Sequence, residues 1–123
     1  MSVRDDELAS RLGINIDAGK VLPDIILVEM GTDDPLLVFV EVVATDGAIT
    51  DRRKEEIYTI TDAAKFKREH VVFVTAYMDR QSVGFKKTVT QLAWNSFAWF
   101  ASESDKLFVL REGAMPLSEI LKL

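Results

Sequence analysis

The sequence contains no cysteine, which rules out disulfide frameworks, thiolate metal sites and cysteine nucleophiles. Histidine occurs once, as His70 among Lys67, Arg68 and Glu69, a setting that reads as a helix end or surface position. No Gly-x-Ser-x-Gly elbow is present, so a serine nucleophile of that type is excluded. No Gly-Lys-Ser/Thr phosphate loop and no Gly-x-Gly-x-x-Gly turn occurs, which argues against nucleotide-driven and dinucleotide chemistry. Apolar runs such as Leu36 to Val40 are far too short to span a bilayer. The N-terminus has no basic segment leading into an apolar one, so nothing reads as a secretory signal. These absences leave a soluble domain, expected in the cytoplasm without membrane association, whose chemistry has to rest on carboxylates.

What the sequence does contain suits one packed domain over residues 1–123, with 48% apolar and 28% charged residues. The net charge of −5 argues at first against a nucleic-acid partner, but its distribution is uneven. Residues 1–51 hold 11 acids and 3 bases, whereas residues 52–87 hold 9 bases and 5 acids. From Asp24 to Asp46 there are six acids and no base. Two readings stay open: ordinary solvated faces, or a metal site beside a phosphate-binding surface, where bound cations offset the acids.

The pattern along the chain predicts a short helix over Asp5 to Leu12, ended by Gly13. Asp24 to Met30 and Leu36 to Val43 read as strands joined by turn residues Gly31 to Pro35, hence a β-hairpin. Thr50 or Asp51 can cap a helix running to about Lys67, with Ile57, Ile60 and Ala64 as its buried stripe. Val71 to Tyr77 is an apolar run of strand length, as a central strand covered on both faces would be. A short helix over Phe85 to Leu92, a hairpin of Phe97 to Ala101 with Leu107 to Leu110, and a closing helix at Leu117 to Leu121 complete the order. The fold class is α/β, a mixed sheet flanked by helices.

Asp24 and Glu41 stand out because each interrupts an apolar strand. Hairpin partners can bring two such side chains onto one face, where unpaired carboxylates repel and desolvate badly. A divalent cation removes both penalties, and hard oxygen donors suit Mg²⁺ or Mn²⁺. The plainer alternative has Glu41 facing water and Asp24 merely starting a strand. On the following helix, Arg53 and Lys54 lie one turn before Ile57, and Glu56 one turn before Ile60. These could serve a site at the end of the Glu41 strand, or Arg52 to Glu56 could be a solvated run of salt bridges, Arg52 with Glu56 among them.

The ordered set Pro23-Asp24, Val40-Glu41-Val42-Val43, Asp46-Gly47-Ala48-Ile49 and Arg52-Arg53-Lys54 resembles the BsuBI/PstI family of type II restriction endonucleases. Phe73 to Asp79 and Ala93 to Ala101 resemble that family too, so the likeness runs from about Leu22 to Gly113. It implies a PD-(D/E)xK nuclease fold and metal-dependent hydrolysis of phosphodiester bonds in double-stranded DNA. It also implies Asp24 and Glu41 as metal ligands for Mg²⁺, with Mn²⁺ as a substitute. The superfamily places a lysine two residues after the acid, on the same strand face. Here that position is Val43, so a base from elsewhere has to replace it. Lys54, Arg53 and Arg52 are the candidates, Lys54 the favoured one, and Glu56 is a further catalytic acid candidate. The missing lysine keeps a second reading open, an inactive nuclease-like module that binds DNA or protein.

Family members carry an N-terminal recognition domain ahead of the catalytic one, and 123 residues cannot hold both. The chain therefore reads as the C-terminal catalytic part of a longer protein. A homodimer of the full-length enzyme is implied by analogy, because palindromic sites mirror a two-fold protein. Lys86 and Lys87 are candidate phosphate contacts along with Arg52. Trp94 and Trp99, set among Phe97 and Phe100, are expected to pack in the core rather than stack on bases.

Overall fold

The computed structural model describes residues 24–29, 35–43 and 47–112. The helices expected over Asp5 to Leu12 and Leu117 to Leu121 lie outside them. Five strands form one sheet: β1 (Ile25–Glu29), β2 (Leu36–Val42), β3 (Val71–Tyr77), β4 (Ser96–Phe100) and β5 (Leu107–Leu110). Two helices accompany them, α1 (Asp51–Ala63) between β2 and β3, and α2 (Val83–Thr88) between β3 and β4. The spatial order is β1-β2-β3-β4-β5. β1 and β5 run antiparallel to their neighbours, while β2, β3 and β4 are parallel. The expected mixed sheet, both hairpins and the central strand are all present, β3 over the residues expected of it.

Alternation along β2 decides which face is which. Leu37, Phe39 and Glu41 are buried while their neighbours are more exposed, as a period of two requires. Leu37 and Phe39 pack with Val71 and Phe73 of β3 under Ile57 and Ile60 of α1, together with Ile49. Phe39 stacks on Phe73 at 6.0 Å, and Tyr58 of α1 meets Phe73 edge-on at 5.2 Å. A second cluster on Tyr77, Leu92, Ala98 and Phe100 is closed by Phe85 of α2 and Phe108 of β5. Tyr77, Phe85 and Phe100 hold one another at centroid distances of 5.1 to 5.6 Å.

Thr50 caps α1, its Oγ1 accepting a hydrogen bond from Arg53 N at 3.1 Å. The helix stops at Ala63, four residues short of the expected end. The stop is made by Lys65, whose φ of 67° is left-handed, with Phe66 N donating back to Thr61 O. A lysine in that conformation carries no turn signal a sequence reading could use. α2 begins earlier than expected because Ser82 caps it, accepting from Phe85 N at 3.2 Å, and its last turn relaxes into a 3₁₀ segment at Val89–Gln91.

Candidate active site

Glu41 is a carboxylate in an apolar strand, only 7% exposed on the face that α1 covers. β1 pairs with β2 through Ile25↔Val40, and one further step along this antiparallel register sets Asp24 opposite Glu41. Asp24 also closes the end of the hairpin, its Oδ2 accepting from Val42 N at 3.0 Å. From α1, Arg53 reaches down so that its Nε donates to Glu41 Oε2 at 2.8 Å. Two acids from a hairpin and one base from the following helix are thus brought together at the C-terminal end of β2.

The electrostatics of Glu41 follow from that geometry. Burial pushes its carboxyl above the usual carboxylate range. The charge and hydrogen bond of Arg53 pull it back, the charge of Asp24 pushes it up again, and a hydrogen bond from the Asp24 backbone lowers it slightly. The net direction is upward, so the one guanidinium does not fully compensate burial and the Asp24 charge.

Arg53 and Lys54 both lie on the sheet side of α1 but diverge. Arg53 takes Glu41, whereas Lys54 Nζ donates to the Trp94 carbonyl at 2.8 Å and sits 5.8 Å from the Tyr58 ring and 5.9 Å from the Phe73 ring. The base in contact with Glu41 is therefore Arg53, not the lysine favoured from the sequence. Arg52 is largely exposed and pairs with Glu56 at 3.3 Å, the helical pair the sequence offered as the plainer alternative. Lys86 and Lys87 are exposed on the last turn of α2.

Two further positions complete the surroundings. Thr75 lies beside Glu41 in the parallel register and is fully buried. Its Oγ1 accepts from Ile49 N at 3.1 Å, fastening the segment that leads into α1 over the sheet next to Glu41. The sequence reading passed over Thr75, although a single polar residue within Val71 to Tyr77 marks it. Val43, at the position of the superfamily's strand lysine, packs instead beside the Tyr77 cluster. A methyl group placed on Gly84 of α2 would stand 3.1 Å from Val43 Cγ1, a tight contact that Val43 would have to relieve by shifting a few tenths of an ångström.

Trp94 departs from expectation. It is 50% exposed and lines a cleft of about 640 Å³ between the first turn of α1 and the Val89–Leu92 segment. Trp99 is half-buried, and its Nε1 donates to Ser104 O at 3.1 Å.

Among the described residues no group of three or more His, Asp or Glu side chains could enclose a metal, and the described carboxylates that meet at the end of β2 are Asp24 and Glu41. That pair nonetheless fits a hard divalent cation. Mg²⁺ keeps several waters and is commonly held by one or two carboxylates plus substrate phosphate. No helix of the described residues is long and apolar enough to cross a membrane.

Comparison with known proteins agrees with this architecture. The type II restriction enzyme BsuBI of Bacillus subtilis is 24% identical over 107 residues, covering 87% of this chain and 32% of that protein. The structure of the SdaI restriction endonuclease matches with a TM-score of 0.67 at 23% identity, over 89% of this chain and 33% of that one, and so shares its fold. The chain spans about a third of the length of either relative. Residues 1–113 match the BsuBI/PstI restriction endonuclease domain, and the chain belongs to that family.

Proposed function

We propose that this domain hydrolyses phosphodiester bonds in double-stranded DNA, with Asp24 and Glu41 holding a divalent cation, Mg²⁺ by preference and Mn²⁺ as a substitute. The observation that carries the reading is the convergence of Asp24, Glu41 and Arg53 at the end of β2. When bound, such a cation supplies Lewis-acid activation of water and neutralises charge developing on the phosphate. Asp24 and Glu41 fix the oxygen donors on two rigid strands. Arg53 orients the Glu41 carboxylate and places positive charge beside the two acids, the role a strand lysine would otherwise fill. Lys54, committed to the Trp94 carbonyl, acts on positioning rather than on water. Arg52, Lys86 and Lys87 remain as candidate phosphate contacts, and Glu56, paired with Arg52, as a candidate further acid.

Sequence recognition and a two-fold assembly are assigned to the remainder of a longer protein, such as the relatives possess. A second reading, a nuclease-like module without activity, draws support from Val43, which leaves the strand without its lysine. Plasmid cleavage separates the two. Supercoiled DNA should be nicked or linearised in Mg²⁺ but not in EDTA, and Asp24→Ala or Glu41→Ala should abolish this while leaving metal-free DNA binding in place. Cleavage by either variant at the wild-type rate would overturn the assignment, and no cleavage by the wild-type chain in any divalent metal would favour the inactive module.

A further inference from the structure

We propose that the cleft beside α1 is a binding site for one unpaired nucleobase of the DNA, stacked on Trp94. The inference deepens the nuclease reading and rests on it for the identity of the ligand as DNA. Trp94 is half-exposed at the mouth of a chain segment, and among the described residues no other aromatic ring packs on it. A tryptophan held this way presents an indole face that a base can cover, and every base has such a face to offer. In a duplex that face is hidden by stacking, so the base that meets Trp94 has to be out of the stack.

The lining matches a base better than a phosphate or a peptide carboxylate. One acid, Asp51, and one base, Arg52, lie on it, the base paired with Glu56, so the lining carries little net charge. Val89 supplies an apolar wall opposite the α1 turn, and Thr90 and Gln91 bring neutral donors and acceptors of the kind that reads a base edge. The cleft, about 640 Å³ and partly open, has more than enough room for one base. Arg52, 91% exposed, stands at the rim where the adjoining phosphate would pass.

The cleft is also mechanically joined to the candidate active site. Arg53 and Lys54 are consecutive on α1: the first holds Glu41 and the second holds the carbonyl of Trp94. One helical turn therefore sets the spacing between the scissile phosphate and the base. Lys54 is a positioning residue for Trp94 in this arrangement.

The test uses the full chain in EDTA and a single-stranded oligonucleotide carrying 2-aminopurine, whose fluorescence reports stacking. Wild-type protein should quench the probe, and Trp94→Ala should bind it about five- to a hundredfold more weakly. Trp94→Phe should keep most of the affinity, and Lys54→Met should weaken it less than Trp94→Ala does. Arg52→Ala should weaken binding to all sequences alike and lower the salt dependence by about one ion. Equal affinity of Trp94→Ala and wild type would overturn the proposal and leave the exposed indole to a protein contact. Plasmid cleavage is scored in parallel. Cleavage that persists while Trp94→Ala changes nothing refutes the cleft alone. Quenching through Trp94 without cleavage in any metal supports the cleft and refutes the nuclease reading.

Discussion

Removal of Arg53 offers the sharpest test of the site, because its cost can be bounded from the structure. The Arg53 and Glu41 side chains are 23% and 9% exposed, so the pair lies between the surface regime, where ion pairs contribute little, and the buried regime, where losing one partner costs about 3–5 kcal/mol. Arg53→Ala leaves a desolvated Glu41 facing Asp24. The carboxyl can escape by taking a proton, and that escape sets a ceiling. From the unperturbed value of 4.5, protonation at pH 7 costs at most about 3.4 kcal/mol, at roughly 1.36 kcal/mol per pH unit. Since the folded carboxyl already lies above that value, the true limit is lower than this ceiling. Urea unfolding in EDTA at pH 7 should show a loss below it. Because the Glu41 carboxyl is raised above its ordinary value, the penalty should shrink as the pH is lowered toward 4.5 and the group takes up its proton. Cleavage should fall about 10²–10³-fold, as for a lost electrostatic group, with Arg53→Lys recovering part. A penalty of equal size at both pH values would show that Arg53 stabilises by packing, and undiminished cleavage would remove it from the site.

Glu41→Gln should change the pH profile of the metal-free protein. The folded state binds the Glu41 proton more tightly than the unfolded chain, so stability from this group is present below about pH 4.5 and lost as pH rises through its raised value. Melting curves from pH 4 to 8 in EDTA should show that decline flattened in the variant. Asp24→Asn removes the charge that pushes Glu41 up while keeping an acceptor for Val42 N. NMR titration should find the Glu41 carboxyl moved downward, and cleavage should be lost. Thr75→Val leaves Ile49 N without its buried acceptor and should cost about 1–3 kcal/mol by chemical denaturation; a neutral result would mean the α1 approach needs no such anchor. Lys54→Met should lower the plasmid cleavage rate less than tenfold, far below the loss for Arg53→Ala, because its ammonium is bound at Trp94 rather than at Glu41.

Much of the fold was legible because hydrophobic period and turn chemistry agree with tertiary structure at most elements. β3 read true since a strand between two parallel neighbours has to be apolar on both faces, and Val71 to Tyr77 has few polar side chains to mislead. The pair Asp24 and Glu41 was legible for the opposite reason, as polar residues breaking apolar strands. What failed was set by contacts distant in sequence. The end of α1 depends on a lysine at φ 67°, and no residue there announces a turn. Arg53 and Lys54 are adjacent bases four and three residues before Ile57, both compatible with its face of the helix, and only the docking angle of α1 sends one to Glu41 and the other to Trp94. Trp94 was expected inside because aromatic neighbours surround it in sequence, yet it lies ahead of β4 rather than in it, where strand alternation no longer applies.

The approach of Gly84 to Val43 bears on how such sites diverge over evolutionary time. A strand lysine at position 43 would need room where α2 now touches the strand, and glycine cannot be replaced by anything smaller. Nor is α2 loose enough to yield: Ser82 caps its start, Thr88 Oγ1 shares a 2.7 Å hydrogen bond with Tyr77 Oη, and Phe85 wedges between Tyr77 and Phe100. A lineage drifting from a helix-borne cation to a strand-borne one therefore meets a packing barrier before any catalytic gain. Positions 43 and 84 are thereby coupled, so that added bulk at either one is felt at the other.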